Sequence, residues 1–461
     1  MSLTKEKIFQ SNKIHFIGIG GAGMNALAEY YLRHGVKISG SDLTRNISTG
    51  RLEKLGIEVN YNHSPENIPL DTDVVVYTPA LSESNVEFLE AKKRGLQIVK
   101  RAELLGITVN DKKLVAVAGT HGKTTTSAMI GKVLIDSGFD PTLFIGGNVE
   151  FMQGASTRLG SGDFAVVEAD EYDRSFHYLK PDLIVITSIE LDHSDIYSGQ
   201  ANLEESFEIF LSKSKTGAKV IYCGDDKVVS GLVKRSGIGA VSYGLTADNF
   251  LVVSDYKSIG KSAEFKINGD YVKLSVPGIH NALNATASFG IASELGITIE
   301  KYSEAIERFS GVDRRLQLVY NNEIDVYDDY AHHPTEVKAS LNALKEISKG
   351  NVITVFQPHL YSRTKDFHSE FADALALSDS IVLLEIYPAR EEKIPGIESS
   401  VIKTDLVEKY GKDVLIPKTV DELNLYLSSI VHDGDILVFM GAGNVTNYCS
   451  FFLNYLKGIK I

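Results

Sequence analysis

The sequence predicts an α/β protein of three domains: a Rossmann-like N-terminal domain, a P-loop ATPase-like central domain with a small antiparallel sheet, and a Rossmann-like C-terminal domain. Three observations carry this expectation. Short continuous apolar runs recur along the chain, the pattern of strands buried on both faces of a parallel sheet. Several break at glycines and lead into apolar residues at helical spacing. The length, 461 residues, suits about three domains.

The chain is organised around Leu114–Thr126, which reads L-V-A-V-A-G-T-H-G-K-T-T-T. Leu114–Ala118 has the pattern of a buried strand, and Met129, Ile130, Val133 and Leu134 place a helix after the turn, ended by Gly138. Strand, glycine turn, Lys, Thr, helix is the context a phosphate-binding loop requires. Small residues let backbone N–H groups close around phosphate oxygens, and the helix N-terminus adds partial positive charge. Val117 stands where the strict P-loop pattern has its first glycine, which leaves the shorter G-T-H-G-K-T form. Gly119, Thr120, His121, Gly122, Lys123, Thr124 and Thr125 are therefore candidate ATP ligands. Lys123 would reach the outer phosphates, and the Thr124 hydroxyl would ligate Mg²⁺ (or Mn²⁺).

Ile14–Gly20 is a second apolar run, followed by an apolar helix to about Arg33, and Gly18, Gly20 and Gly23 spell G-x-G-x-x-G. Val36–Gly40 supplies the next strand and ends at Ser41-Asp42. An acidic residue about 20 positions past the glycines is the usual ribose ligand of a Rossmann unit. Taken alone, this points to NAD as readily as to another nucleotide. Asp73–Tyr77 and its loop Thr78-Pro79-Ala80 extend the same sheet, and Arg94–Val109 closes a first domain, residues 1–110.

In a central domain of residues 111–315, strand Phe164–Val167 ends in Glu168-Ala169-Asp170-Glu171, and Leu183–Ile189 delivers Glu190 and His193 to the same rim. Open α/β sheets bind ligands at that edge. Thr124 and Glu168 are the natural Mg²⁺ pair, and His193 is a candidate for a second divalent ion. Lys219–Cys223 repeats the theme. Alternation over Asn249–Pro277, with an Asn268-Gly269 turn, predicts antiparallel hairpins. A helix follows over Gly278–Leu295. Asn281 and Asn284 lie one turn apart on it; an Asn side chain suits an adenine edge, and Asn281 suits a helix cap equally well.

A third α/β pattern fills residues 316–461, with strands at Asp325–Tyr327, Val352–Phe356, Ser380–Glu385 and Asp435–Met440. Gly441-Ala442-Gly443 offers a weaker turn of the phosphate-cradle kind. Asp328–Pro334 (D-D-Y-A-H-H-P) is dense in reactive side chains. Adjacent histidines on a strand would face opposite ways, so a ribose or substrate contact fits better than zinc. Arg363, in Q-P-H-L-Y-S-R-T, is a candidate for bidentate carboxylate capture.

Composition bounds the rest. Hydrophobic residues make up 43% and charged residues 23%, ordinary for a globular protein. No run approaches a membrane span, and the N-terminus lacks the apolar segment of a secretory leader. Two distant cysteines, Cys223 and Cys449, offer no disulfide framework and point to a reducing cytoplasm. A net charge of −13 argues against a nucleic-acid surface, which needs a basic stripe.

With these motifs collected, the chain resembles the Mur ligase family nearly end to end. The resemblance rests on G-I-G-G-A-G-M at Gly18–Met24, G-S-D at Gly40–Asp42, A-G-T-H-G-K-T-T-T at Ala118–Thr126 and E-A-D-E at Glu168–Glu171. It continues through D-H at Asp192-His193, G-I-H-N-A-L-N-A at Gly278–Ala285, R-R-L at Arg314–Leu316, D-D-Y-A-H-H-P-T-E at Asp328–Glu336, Q-P-H-L-Y-S-R-T, and E-I-Y-P-A-R-E at Glu385–Glu391. It implies a ligase that spends ATP to join L-alanine to the lactyl carboxylate of UDP-N-acetylmuramate, in peptidoglycan precursor synthesis. It further implies a cytoplasmic monomer or homodimer with no nucleic-acid or membrane partner.

Residue by residue, the resemblance implies that the first domain binds a UDP-sugar rather than NAD, through Gly20, Gly21, Gly23, Met24, Ser41, Asp42, Thr78, Pro79 and Ala80. It gives Lys123 the ATP phosphates and Thr124, Glu168 and His193 the metal, with Lys123, Glu168 and His193 as the catalytic set. Asn281, Asn284, Arg315 and Asp329 match further ATP-site positions. Tyr330, His359 and Arg363 match positions around the incoming amino acid. Leu360 departs from the arginine that alanine-adding members often carry, which leaves Arg363 as the surer carboxylate partner.

Overall fold

The computed structural model describes residues 3–78, 81–82, 84–192, 196–389 and 391–458. Three α/β domains are arranged in two compact units: residues 1–252 with 284–305, and residues 253–283 with 306–461.

The first unit holds two sheets. One is five-stranded and parallel, in the order Glu58–Asn60, Lys37–Ser41, Lys13–Ile17, Val74–Tyr77, Gln97–Lys100. This is the doubly wound order, with the reversal between Lys13–Ile17 and Val74–Tyr77, so ligand space opens where the chain leaves those two strands. The glycine turn follows the first of them and Thr78 the second. The apolar runs were readable because their residues are covered on both faces: Ile14, Phe16, Ile17, Val75 and Val76 are wholly buried.

In the second sheet, Lys113–Ala118 lies between Phe164–Glu168 and Leu183–Ile186, all parallel. Val117 is paired with Glu168 across the register. Both neighbours therefore end beside the turn that follows Ala118. Lys219–Cys223 and Gly239–Gly244 extend one side. Thr142–Val149 and the antiparallel Ala155–Arg158 form the other. The latter two escaped the sequence reading because Gly146-Gly147 interrupts the apolar pattern and Ala155–Arg158 is largely polar.

In the second unit, Ser262–Ile267 pairs antiparallel with Asp270–Leu274 and with the strand ending at Ile259. Asn268 and Gly269 both have positive φ, 51° and 97°, which is the two-residue turn the sequence predicts. In strand order these hairpins continue the central sheet through the pairing of Tyr243 with Leu251, as the antiparallel part expected there, while by compactness they fall in the second unit.

The other sheet of this unit runs Gln317–Asn321, Asp325–Asp329, Ile436–Met440, Val352–Phe356, Ser380–Leu383, Val414–Leu415. It is parallel except for its first pair, and a separate apolar cluster covers each face. Here the structure corrects one expectation. His332 and His333 are not on a strand, which ends at Asp329; they lie in the connection before helix Pro334–Ile347. No helix among the described residues is long and apolar enough to cross a membrane.

Candidate active site

The turn after Lys113–Ala118 has a shape only glycine permits. Gly119 has φ 129° and Gly122 φ 81°, in the left-handed region. A Cβ on Gly119 would lie 2.1 Å from Thr187 Oγ1, and one on Gly122 2.6 Å from Asn284 Oδ1. Asn284 thus stands against the loop. Thr120 and Glu190 clasp the turn: the Thr120 hydroxyl donates to the Glu190 carbonyl and accepts from Glu190 N, each at 2.9 Å. His121 Nε2 lies 3.0 Å from Glu190 Oε2. Helix Lys123–Asp136 starts at once, with Thr124 and Thr125 buried in its first turn.

The Lys123 ammonium donates to Glu171 Oε2 at 2.7 Å, to the Gly119 carbonyl at 2.6 Å and to the Thr120 carbonyl at 3.2 Å. Burial opposes its charge, but the carboxylates of Glu171, Asp170 and Glu168 outweigh that and raise its pKa, so the ammonium is held protonated. Burial pushes the Glu171 carboxyl up to about 7, against the pull of Lys123. Glu171 belongs to a motif the sequence displays, but its pairing with Lys123 was not foreseen.

Thr124 Oγ1 donates to Glu168 Oε1 at 3.0 Å, and Gly146 N donates to Glu168 Oε2 at 2.7 Å. A hydroxyl and a carboxylate side by side are the hard oxygen donors that Mg²⁺ takes, so these two residues fit such an ion. His193, the third expected metal ligand, lies outside the described residues.

In the five-stranded domain, Gly18 N and Ile19 N donate to the Ser41 carbonyl at 2.8 and 2.9 Å. Gly20 N donates to Asp42 Oδ2 at 2.9 Å. A Cβ on Gly20 would lie 2.7 Å from that same oxygen, and one on Gly18 3.4 Å from Thr78 Cγ2. Asp42 therefore anchors the glycine turn, and Thr78 stands on its other side. Gly21 begins helix Ala22–Arg33, and Gly23 lets the Arg101 side chain pass close by.

Two expected contacts are displaced inward. Met24 is packed in the core, and Ser41 is wholly buried with its hydroxyl donated to Glu87 Oε2 at 2.6 Å. What these two can offer a ligand is backbone. Pro79 and Ala80 lie outside the described residues. Sequence reading missed Glu87 and His63, although His63 follows strand Glu58–Asn60 at the ligand-binding edge.

The second unit gathers the third-domain residues. The Tyr330 ring has the guanidinium groups of Arg314 and Arg315 over it, at 4.8 and 4.9 Å from its centroid. Asp329 is buried and accepts from Leu316 N, Ala331 N and the Ser340 hydroxyl. Burial pushes its carboxyl up to about 6, opposed by Ser340 and Arg315. Arg363 sits in the first turn of helix Tyr361–Leu375, with Nη1 3.2 Å from His359 Nδ1. The His359 ring stacks on Tyr387 at 5.8 Å and meets His332 edge-on at 5.9 Å. Tyr330, His359 and Arg363 are thus linked through His332, which meets the Tyr330 ring at 5.3 Å.

Further motif residues of this unit also have structural partners. His333 caps helix Pro334–Ile347 in a reciprocal pair with Glu336. Asn281 Nδ2 donates to the Pro277 carbonyl at 2.7 Å, tying its helix to the preceding turn. The Gly441–Gly443 turn holds Arg314. Its carbonyls at Gly441 and Gly443 accept from Arg314 Nη2, and a Cβ on Gly443 would lie 2.5 Å from Gln357 Oε1.

A doubly wound domain beside a phosphate loop whose Thr meets a carboxylate defines a nucleotide-binding α/β protein, and this chain belongs to the Mur ligase family. Family models match along its length: "Mur ligase family, catalytic domain" over residues 13–113, "Mur ligase middle domain" over 117–292, and "Mur ligase, glutamate ligase domain" over 314–443. A UDP-N-acetylmuramate–L-alanine ligase of Geobacter sp. (strain M21) is 41% identical, covering 97% of this chain and 98% of the relative. The protein of the same name from Desulforamulus reducens is 38% identical, covering 95% and 96%. Among solved structures, a UDP-N-acetylmuramate-alanine ligase from Thermotoga maritima superimposes with a TM-score of 0.83 at 30% identity, covering 97% of this chain and 99% of that one.

Proposed function

We propose that this protein is an ATP-dependent ligase that joins L-alanine to the lactyl carboxylate of UDP-N-acetylmuramate, forming a peptidoglycan precursor. The observation that carries the reading is the phosphate loop, with Lys123 held protonated and Thr124 Oγ1 3.0 Å from Glu168 Oε1. Names borne by full-length relatives at 38 and 41% identity support the choice of substrates.

A carboxylate resists an amine because its charge repels the attack and oxide is too poor a leaving group. The lactyl carboxylate attacks the γ-phosphorus of ATP, giving an acyl phosphate and ADP. The alanine amine then attacks the acyl carbon, and phosphate leaves as the amide forms. Lys123 offers its ammonium to the outer phosphates, exchanging Glu171 for them. The N-terminal amides of helix Lys123–Asp136 add positive potential. Thr124 and Glu168 would hold Mg²⁺ (or Mn²⁺), with His193 for a second ion; a bound divalent cation neutralises charge on the transferring phosphoryl group. Residues 1–110 take the UDP-sugar, with Asp42 holding the turn that receives it; residues 111–315 take ATP; residues 316–461 present Tyr330, His359 and Arg363 to alanine.

Phosphate release by the purified protein, with ATP and each of the twenty amino acids, with and without UDP-N-acetylmuramate, tests this. Release should require both the muramyl nucleotide and L-alanine. A protein that consumes no ATP with both present would end the reading.

A further inference from the structure

Glu87 is a wholly buried carboxylate in the five-stranded domain whose partners come from three separate parts of the chain. Oε2 accepts from the Ser41 hydroxyl at 2.6 Å and faces His15 Nε2 at 3.3 Å. Oε1 accepts from Asn67 Nδ2 at 2.7 Å and Ser64 N at 3.2 Å, and faces His63 Nδ1 at 3.2 Å. With desolvation opposing them, these hydrogen bonds hold the carboxyl down at about 2. An ionised carboxylate only accepts, so each facing ring nitrogen carries a hydrogen. His15 then has Nδ1 left for Ser39 Oγ, 3.0 Å away, and is satisfied.

His63 differs. Its Nδ1–H is committed to Glu87, and its Nε2 has no partner among the described residues. Its side chain is 19% exposed, while those of Glu87 and His15 are closed off. Ser41 joins it to the glycine turn: Ser41 Oγ lies 3.3 Å from His63 Nδ1, and the Ser41 carbonyl takes Gly18 N and Ile19 N. The buried carboxylate thus reaches toward solvent through an imidazole that Ser41 ties to the glycine turn.

We propose that His63 contacts the nucleoside end of the sugar nucleotide, its Nε2 accepting a hydrogen bond from a hydroxyl or imide N–H of the uridine, and that Glu87 is the positioning residue that fixes the ring for it. This rests on the assignment of the N-terminal domain to the UDP-sugar. Outer partners that fix the tautomer of a functional histidine act in this way elsewhere. With its hydrogen held at Nδ1, a neutral ring offers an acceptor at Nε2, which suits the donor-bearing nucleoside rather than the diphosphate.

The test is calorimetric binding of UDP-N-acetylmuramate and of UDP to the full chain, alongside steady-state kinetics. His63→Ala should weaken both ligands equally, about tenfold, and raise KM for the muramyl nucleotide as much, with kcat and the ATP KM within about twofold. His63→Gln, which places an amide near Nε2, should recover most of the loss. Glu87→Gln should weaken binding similarly, and combining it with His63→Ala should add little. Thermal melts establish that each variant is folded, and His63→Ala carries the test alone if Glu87→Gln does not fold. Unchanged affinity in folded His63→Ala, or a loss confined to UDP-N-acetylmuramate with UDP unaffected, overturns the proposal while the ligase reading stands. Failure of the unmodified protein to bind either ligand overturns both.

Discussion

The ammonium of Lys123 lies 2.7 Å from Glu171 Oε2 in the phosphate loop. The pair is nearly closed from solvent, with 12% of the lysine side chain and 3% of the glutamate side chain exposed. Two backbone carbonyls complete the cradle of Nζ. The loop therefore holds its cation charged and in place, and on the proposed reading an arriving phosphate would take the place of a carboxylate.

Lys123→Ala should abolish ADP release while leaving affinity for the muramyl nucleotide nearly unchanged. Removing one partner of a buried ion pair costs about 3–5 kcal/mol when the other stays charged. Glu171 has a cheaper course: its carboxyl, already pushed up to about 7, takes up a proton, so the variant should stay folded at neutral pH. Retained turnover would remove Lys123 from the chemistry.

Glu171→Gln should tighten ATP binding by about fivefold or more, each factor of about five corresponding to roughly 1 kcal/mol. Lys123 keeps its two carbonyl acceptors, while the competing negative charge is gone. Nucleotide titration with non-hydrolysable ATP measures this, and weaker binding would mean that Glu171 orients Lys123 rather than competing for it.

Much of this site could be read from residue order, for a physical reason. A phosphate loop is local: strand, glycines, Lys123, Thr124 and helix are contiguous, and burial on both faces of Leu114–Ala118 writes the strand as an apolar run. Glu168 was also readable, because parallel strands bring their ends to one rim. What stayed hidden depends on partners distant in sequence. Glu87 looks like a surface carboxylate on helix Val86–Lys93, and only folding brings His15, Ser41 and His63 to it. Met24 and Ser41 look like loop residues, yet both are drawn into the interior. Gln317–Asn321, an edge strand with mixed exposure, carries no continuous apolar run to betray it. At Gly441–Gly443 a glycine pattern does not say which backbone groups are used; here two carbonyls accept from Arg314.

Asp42→Ala should raise KM for the muramyl nucleotide by about tenfold and leave the ATP KM nearly unchanged. Asp42 Oδ2 is the acceptor for Gly20 N, and Oδ1 accepts from Thr44 N at 3.2 Å. Without them the glycine turn loses its anchor. Equal increases in both KM values would show that this domain is not the sugar-nucleotide site.

Glu87 also predicts an acid-dependent stability. Its folded pKa, about 2, lies below the ordinary value of 4.5. The stabilisation is therefore whole above about pH 4.5 and is lost as pH falls toward 2. The full contribution is about 3 kcal/mol. Melting temperatures between pH 7 and pH 3 should fall more steeply for the native protein than for Glu87→Gln. Parallel curves would mean that the hydrogen bonds to Glu87 contribute nothing net.

Arg363→Ala should weaken alanine use selectively, raising KM for L-alanine by at least tenfold with the ATP and muramyl-nucleotide KM values within about twofold. Arg363 is only 5% exposed, with His359 beside Nη1 and its helix starting two residues earlier, at Tyr361. Such a placement suits a planar cation meant for one small carboxylate, since the ordering of its long side chain is already done in the fold. Arg363→Lys keeps the charge but not the fork, so it should recover only part of the loss. Leu360, just before that helix, has φ 70° and is 9% exposed, so an apolar side chain is packed away where the resemblance would offer a second cation. If alanine kinetics were unchanged in folded Arg363→Ala, the carboxylate would have to be held by another group, and the two arginines over Tyr330 would be next to examine.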